Sequence, residues 1–214
     1  MLMTNIQIHG LAESIYRSGY PMMTTLPTEY QFESEVKKIN KAISEKDYEN
    51  SHIKRAINLA NAKGGGHNQF LTGITVQFDL SFPLKVWTEA QRYKFLNFVS
   101  SMSSAHKIDN FNIEEMCNDF VDEEIVQKFK NLQDDYLYET DIEIKKIKRE
   151  KLLYNIPSGF VLPAGMTTNY RCLQNIVAQR YNHRLSVWRE FCKEVSKLPM
   201  AKELIMKGIV LQDK

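Results

Sequence analysis

Apolar and polar residues alternate most strictly between residues 74 and 82. The apolar members of this run are Ile74, Val76, Phe78, Leu80 and Phe82, and a polar residue separates each from the next. A period of two predicts a β-strand that turns one face toward a core and the other toward solvent. We therefore expect a strand over residues 74–82, in a mostly antiparallel sheet because only one face is apolar.

A helix is expected directly after this strand. Ser81 lies where a helix cap would be, and Pro83 suits the first helical turn, where its missing N–H is not needed. The helical pattern extends toward Val99, with Arg92 on the polar side. The serines within 100–104 then favour a loop that ends the helix, since serine competes with the helix for backbone hydrogen bonds.

Apolar spacings of three and four residues predict helices in three further parts of the chain. They cover residues 11–17, which follow a short predicted strand at 5–8, and residues 28–62, which are expected to form two helices. A strongly charged segment from about 110 to 153 is expected to form a long helical insertion with a solvated face. Its apolar stripe consists of Phe120, Ile125, Phe129, Leu132 and Tyr136. The three glycines between Lys63 and His67 predict a turn.

The segment 167–184 predicts a helix with unusually placed arginines. Leu173, Ile176 and Val177 define an apolar stripe, and at about 100° per residue Arg180 and Arg184 fall inside it. Two arginines four residues apart stack one turn above the other. A guanidinium does not stay dry and unpaired, so both require a partner. The partner is either a carboxylate, in a buried salt bridge, or an anion such as a phosphate, because the guanidinium fork suits both.

The composition bounds the class of protein. With 214 residues, 43% of them hydrophobic, the chain can bury one sizeable core and is too short for two ordinary domains with a linker. The net charge of +2 gives no strong nucleic-acid signal, since nucleic-acid-binding proteins usually carry a clear basic excess. We expect a single α+β domain with a mostly antiparallel sheet packed against helices.

The cysteines and the hydropathy pattern narrow the expected location. Cys117, Cys172 and Cys192 are odd in number and far apart, which suggests neither a disulfide framework nor a CxxC metal site. No stretch approaches the roughly 18 uninterrupted apolar residues of a membrane span. The N-terminus also lacks the pattern of a secretion signal. We expect a cytoplasmic protein with no metal site, and spacing alone assigns no catalytic residue.

The spacing Asn169-x-Arg171-x3-Asn175-x4-Arg180 resembles the C-terminal helix of the flavin-dependent thymidylate synthases, the ThyX family. In that family the first three positions contact the flavin cofactor, and the last holds the pyrimidine nucleotide. Here Arg171 and Asn175 point away from the apolar stripe, so the helix offers polar contacts in two directions.

A second part of the resemblance lies upstream. Gly66-His67 precedes the strand, and Arg92 follows at the interval expected between the family's flavin-loop histidine and its first motif arginine. The family signature Arg-His-Arg-x2-Ser-x-Asn-Glu-x-Ser-x-Arg-Tyr is otherwise largely lost. Lys94 keeps a positive charge, Ser103 matches a serine after a one-residue shift, and His106 lies near the missing Arg-Tyr pair.

The resemblance implies a cofactor, a substrate and an assembly. The implied FAD contacts are His67, Asn169, Arg171 and Asn175. The implied contacts to a dUMP-like pyrimidine deoxynucleotide are Arg92, Ser103, Arg180 and Arg184. The implied reaction is one-carbon transfer to the pyrimidine C5, with reduced nicotinamide and methylenetetrahydrofolate as co-substrates. The family assembles as a homotetramer whose sites are shared between subunits.

Two functions remain open at this stage. The pattern over 169–180 favours a divergent enzyme, whereas the lost signature favours a catalytically silent homologue that serves as a nucleotide-binding or regulatory protein. Without the resemblance, His67 would be a surface histidine on a flexible turn, and Arg92 an exposed helix charge. Such divergence also fits a bacteriophage-encoded member, which would act in the host cytoplasm.

Overall fold

The computed structural model describes residues 2–63, 66–209 and 211. Its strands are β1 (Met3–His9), β2 (Thr75–Pro83), β3 (Asn97–Ser101) and β4 (Val161–Asn169). They form one antiparallel sheet in the order β1-β2-β4-β3, so the predicted α+β class is confirmed. β1 and β3 are the edge strands.

Helices surround this sheet in the chain order. They are α1 (Leu11–Arg17), α2 (Glu29–Glu45), α3 (Ser51–Asn61), α4 (Leu84–Ala90), α5 (Ser104–Lys107), α6 (Ile113–Met116), α7 (Glu123–Leu137), α8 (Ile142–Tyr154), α9 (Tyr170–Arg180), α10 (Ser186–Val195) and α11 (Ala201–Leu204). Short 3₁₀ turns occupy Tyr20–Met22, Gln69–Gly73 and Ile108–Asn110. The helices predicted over 11–17 and 28–62 are confirmed. Among the described residues, every helix is too short or too polar to cross a membrane.

The described chain forms two compact units. The first comprises Asp79–Lys94 and Phe98–Met166, and the second comprises Leu2–Phe78, Phe95–Asn97 and the described residues from Thr167 onward. In the first unit the buried rings of Phe129 and Phe160 lie 6.0 Å apart. In the second, the buried rings of Trp188 and Phe191 lie 5.8 Å apart. Each unit therefore contains aromatic packing of its own.

The strand predicted over 74–82 is present, but the helix after it is shorter than expected. Pro83 caps α4 with an extended backbone, no side chain caps that end, and α4 ends at Ala90. The expectation of a helix toward Val99 is wrong, because residues 97–101 form the strand β3. Aromatic and β-branched residues such as Phe98 and Val99 suit an extended strand.

β4 is the strand that the sequence pattern concealed. Its side chains alternate in burial, with Leu162, Ala164, Met166 and Thr168 buried. Pro163 and Gly165 lie between them, and both residues normally weaken a strand prediction. The Pro163 carbonyl oxygen accepts a hydrogen bond from the Met102 amide at 3.0 Å, just beyond β3.

The charged segment is helical, as predicted, and it consists of α6, α7 and α8. Phe129 and Leu132 are buried, which agrees with the predicted stripe. Phe120 is 83% exposed and Ile125 is 47% exposed, so that part of the stripe is wrong. Phe120 precedes α7 in a turn and therefore does not share the buried face of the helix.

Glu139 holds the connection between α7 and α8. Its carboxylate lies 2.7 Å from the Lys148 Nζ and accepts the amides of Thr140 and Asp141 at 2.9 and 3.0 Å. The hydrogen bond from Lys148, followed by that from the Asp141 amide, lowers the pKa of Glu139 to about 2. A carboxyl group whose pKa is lower in the folded state stabilises the protein above its unfolded pKa, and that contribution disappears as the pH falls through the folded pKa.

We expect Glu139→Gln to lower the melting temperature at pH 7 and to have a shrinking effect as the pH falls from 4.5 toward about 2. Thermal melts of both proteins across this range measure the difference. Glu143→Gln is the matched control, because Glu143 pairs only with the exposed Lys146 among the contacts observed here. A pH-independent difference between wild type and Glu139→Gln would contradict the assignment.

Candidate functional site

The candidate site of the second unit begins where β4 runs directly into α9. Asn169 is the last residue of β4, and its side-chain oxygen accepts the Cys172 amide at 2.9 Å. Asparagine is a preferred cap because its side chain satisfies an amide that the helix leaves unpaired. This junction therefore places Arg171 in the first turn of α9 and Asn175 one turn later, where Asn175 is exposed.

Two side-chain contacts join the start of α9 to the loop that follows the glycine turn. Arg171 donates a hydrogen bond from Nη1 to the Gln69 side-chain oxygen, 102 residues away in the chain. Asn68 donates from its side-chain amide to the Gln174 oxygen at 2.7 Å. His67 is exposed in the turn immediately before these two residues. The loop and the helix, predicted separately from the sequence, are therefore in direct contact.

Gln174 is a buried polar residue at the centre of this arrangement. Only 2% of its surface is exposed, and its side-chain nitrogen donates to the carbonyl oxygens of Ala60 at 3.1 Å and Leu204 at 2.9 Å. Sequence reasoning did not identify Gln174, although it directly follows Leu173 at the margin of the apolar stripe. A polar residue at the edge of such a stripe is the signal that could have indicated it.

The glycine turn itself is only partly described. Gly64 and Gly65 lie outside the described residues. Gly66 has a φ of +94°, a conformation that glycine adopts readily and that other residues adopt rarely.

Arg180 is the last residue of α9 and is half-buried. Its Nη1 lies 2.7 Å from the His183 Nε2, and its guanidinium carbon lies 4.7 Å from the centre of the Trp188 ring. The expectation of a guanidinium enclosed by the apolar stripe is wrong, because α9 ends at this position. The face of the buried Trp188 ring provides favourable contact for the cation.

Arg184 does not lie on α9. Tyr181 closes that helix, and Arg184 is exposed in the bend before α10. The predicted stacking of Arg180 and Arg184 is therefore wrong, because the chain turns between them, with the His183 amide bonded to the Arg180 carbonyl oxygen at 3.0 Å. Arg189 fixes the bend by donating to the carbonyl oxygens of His183 and Arg184 at 2.6 and 3.1 Å.

Arg92 and Ser103 belong to the first unit. Arg92 is exposed in the turn after α4, where its amide bonds to the Glu89 carbonyl oxygen at 3.3 Å, so its predicted position on a long helix is wrong. Ser103 directly precedes α5, and its hydroxyl lies 3.3 Å from the His106 Nδ1. The structure thus groups six of the eight predicted contact residues in the second unit and these two in the first.

A pocket of about 310 Å³ lies beside Ser103 in the first unit. Its polar lining consists of Gln91, Ser101, Ser103 and Ser104, and its apolar lining includes Trp87 and Phe98. We refer to it as the serine pocket. Its elements are α4, β3 and α5.

Burial keeps two cysteines of the second unit neutral. Burial raises the pKa of the Cys192 thiol to about 12, although the nearby Arg180 charge acts in the opposite direction. Burial also raises the pKa of Cys172. A thiol reacts as its thiolate, so neither residue has the character of an activated nucleophile. Within the described part of the chain, no three His, Cys, Asp or Glu side chains are grouped as metal ligands would be.

Similarity to known proteins is found at the level of structure. No protein-family model matches the chain, and no curated protein sequence matches it. The crystal structure of flavin-dependent thymidylate synthase ThyX from Helicobacter pylori, complexed with FAD and dUMP, superimposes with a TM-score of 0.64 at 15% identity. That match covers 98% of this chain and 100% of the solved chain.

A further crystal structure of Thymidylate Synthase X (ThyX) from Helicobacter pylori, also with FAD and dUMP, has a TM-score of 0.56 at 19% identity. It covers 78% of this chain and 89% of the other. At these identities the likeness concerns the fold. The chain has the fold of the ThyX flavin-dependent thymidylate synthases.

Proposed function

We propose that the protein binds FAD and a dUMP-like pyrimidine deoxynucleotide, and that it transfers a one-carbon unit to the pyrimidine C5. The observation that carries this proposal is the direct contact between the loop after His67 and the start of α9. Arg171 bonds to Gln69, and Asn68 bonds to Gln174, across 102 and 106 residues of chain. Two separate parts of the family resemblance therefore meet in one unit of the fold.

The side chains at this contact suit a flavin dinucleotide. A dinucleotide carries two phosphates and a ring system that needs hydrogen-bond donors, and Arg171, Asn175 and His67 are donor-bearing side chains at the surface of the unit. Asn169 positions them by capping α9. When bound and reduced, the flavin would supply a hydride. Reduced nicotinamide and methylenetetrahydrofolate are the proposed sources of the electrons and of the one-carbon unit.

The proposed nucleotide contacts are arginines and a hydroxyl. In the second unit, Arg180 and Arg184 flank the bend fixed by Arg189 and supply positive charge for a phosphate. In the first unit, Arg92 and Ser103 are the corresponding contacts. By analogy with the family, we propose a homotetramer in the cytoplasm, with each site completed by residues of neighbouring subunits.

A second candidate function is a catalytically silent homologue that binds nucleotide or serves as a regulatory protein. The observation that favours it is the sequence from 92 to 105, in which Arg92 alone matches the signature outright. This candidate predicts nucleotide binding without turnover. The enzyme predicts formation of dTMP from dUMP when methylenetetrahydrofolate and reduced nicotinamide are supplied.

We expect the purified protein to be yellow and to release FAD on denaturation. Asn175→Ala should lower FAD affinity by about tenfold, because it removes one hydrogen bond to the cofactor. Absorbance in the blue during a titration of the flavin-free protein with FAD measures this change.

Asn131→Ala is the matched control, since Asn131 is also an exposed helix asparagine but lies on α7. Its FAD affinity should equal that of the wild type. A colourless wild type that takes up no FAD would contradict the flavin proposal. A yellow protein that binds dUMP without forming dTMP would favour the silent homologue.

A further inference from the structure

The serine pocket is lined by uncharged residues among those that the structure describes. Gln91, Ser101, Ser103 and Ser104 offer an amide and three hydroxyls, and each of these groups can both donate and accept hydrogen bonds. A phosphate needs cationic or clustered amide donors, which this lining does not provide. The lining therefore suits an uncharged polar group.

The apolar part of the lining suits a flat ring. Trp87 and Phe98 lie with ring centroids 4.8 Å apart at an interplanar angle of 42°. Trp87 is held in place because its indole nitrogen donates to the Leu162 carbonyl oxygen at 2.9 Å. Phe98 is 42% exposed, although an aromatic side chain of this size is usually buried. Exposed aromatic faces beside hydrogen-bonding groups are typical of sites that stack a nucleobase.

The volume of the pocket limits the size of its ligand. At about 310 Å³ it lies at the lower end of small-molecule sites, which span roughly 300 to 1,000 Å³. A single ring system or nucleoside fits this volume better than a dinucleotide does. The pocket is therefore a separate subsite from the surface assigned to FAD.

The turn after α4 connects this pocket to a charged residue. The Gln91 amide bonds to the Trp87 carbonyl oxygen at 3.0 Å, and Arg92 follows in the same turn. Gln91 is thus supplied to the pocket by the segment that presents the only arginine retained from the family signature.

We infer that the serine pocket binds the uracil base of the pyrimidine ligand, with the Gln91 amide pairing to the N3–H and C4 carbonyl edge and Phe98 contacting the ring face. The choice of a pyrimidine rests on the proposed function, whereas the preference for an uncharged flat ring rests on the pocket. The glutamine amide carries a donor and an acceptor side by side, which allows two-bond pairing to a base edge.

Calorimetric titration with deoxyuridine, N3-methyldeoxyuridine and dUMP tests the inference. Wild type should bind deoxyuridine about tenfold more tightly than the N3-methyl compound, because methylation removes the donor that pairs with Gln91. Gln91→Ala should weaken deoxyuridine binding by a similar factor and abolish the difference between the two compounds. Phe98→Ala should weaken both compounds by about tenfold, as expected for a lost base-stacking contact.

Gln127→Ala is the matched control, because Gln127 is an exposed glutamine on α7 and does not line the pocket. It should bind all three compounds like the wild type. If dUMP binds and FAD is present but Gln91→Ala matches this control, the pocket assignment is overturned and the proposed function stands. If deoxyuridine binds in a Gln91-dependent way to a protein without FAD, the pocket assignment stands and the flavin proposal fails. If none of the three compounds binds, the uracil assignment is overturned.

Discussion

Gln174→Leu is expected to lower the free energy of unfolding by about 2 to 4 kcal/mol. Leucine has a similar size but no donor, so the carbonyl oxygens of Ala60 and Leu204 lose the hydrogen bonds that Gln174 gives them in a buried place. Each buried group left without its partner costs about 1 to 3 kcal/mol. Urea denaturation, followed by circular dichroism, measures the change.

Asn175→Leu is the control for this experiment, because Asn175 is the next residue of the same helix and is exposed. Its effect on stability should stay within about 0.5 kcal/mol, as is usual for surface positions. The Gln174 variant should also loosen the loop at Asn68, whose side-chain amide bonds to the Gln174 oxygen. Equal stability of the two variants would show that Gln174 does not hold the second unit together.

Gly10→Ala is expected to destabilise the protein by about 3 to 4 kcal/mol. Gly10 precedes α1 with a φ of +76°, a left-handed conformation that costs other residues about 1 to 2 kcal/mol. An added Cβ would also lie 2.5 Å from the carbonyl oxygen of Gly73, which is a backbone atom. The chain must therefore shift to accommodate alanine.

Gly208→Ala separates these two costs. Gly208 has a φ of +74°, and a Cβ added there meets no atom within 4 Å, so only the conformational cost applies. Urea denaturation of both variants should show a larger loss for Gly10→Ala. Similar losses would mean that the contact between Gly10 and Gly73 is relieved without cost.

Local patterns predicted the elements whose sequence and environment agree. β2 followed from strict alternation, and α1, α2 and α3 followed from helical spacing. β4 was missed because Pro163 and Gly165 occupy its partly exposed face, and the pairing with its neighbours outweighs their low strand propensity. β3 was assigned to a helix because its strand conformation depends on pairing with residues more than 60 positions away, which no local pattern records.

For the candidate site, spacing predicted which side chains of α9 reach the surface. Arg171 and Asn175 do so, as expected. The end of α9 carried no glycine or proline signal, so the helix was extended to Arg184 although Tyr181 closes it. Gln174 was missed because its partners, Asn68, Ala60 and Leu204, come from three distant segments. Partners of that kind appear only when the chain is folded.

The bond between Arg171 and Gln69 also bears on how this protein can evolve. Because each side chain completes the other, loss of the arginine removes the reason to keep a glutamine at position 69, and shortening of the glutamine leaves the arginine without that acceptor. Natural variants should therefore change these two positions together more often than either changes with the exposed Asn131. Selection would act on the pair as one heritable unit, even though 102 residues separate its members.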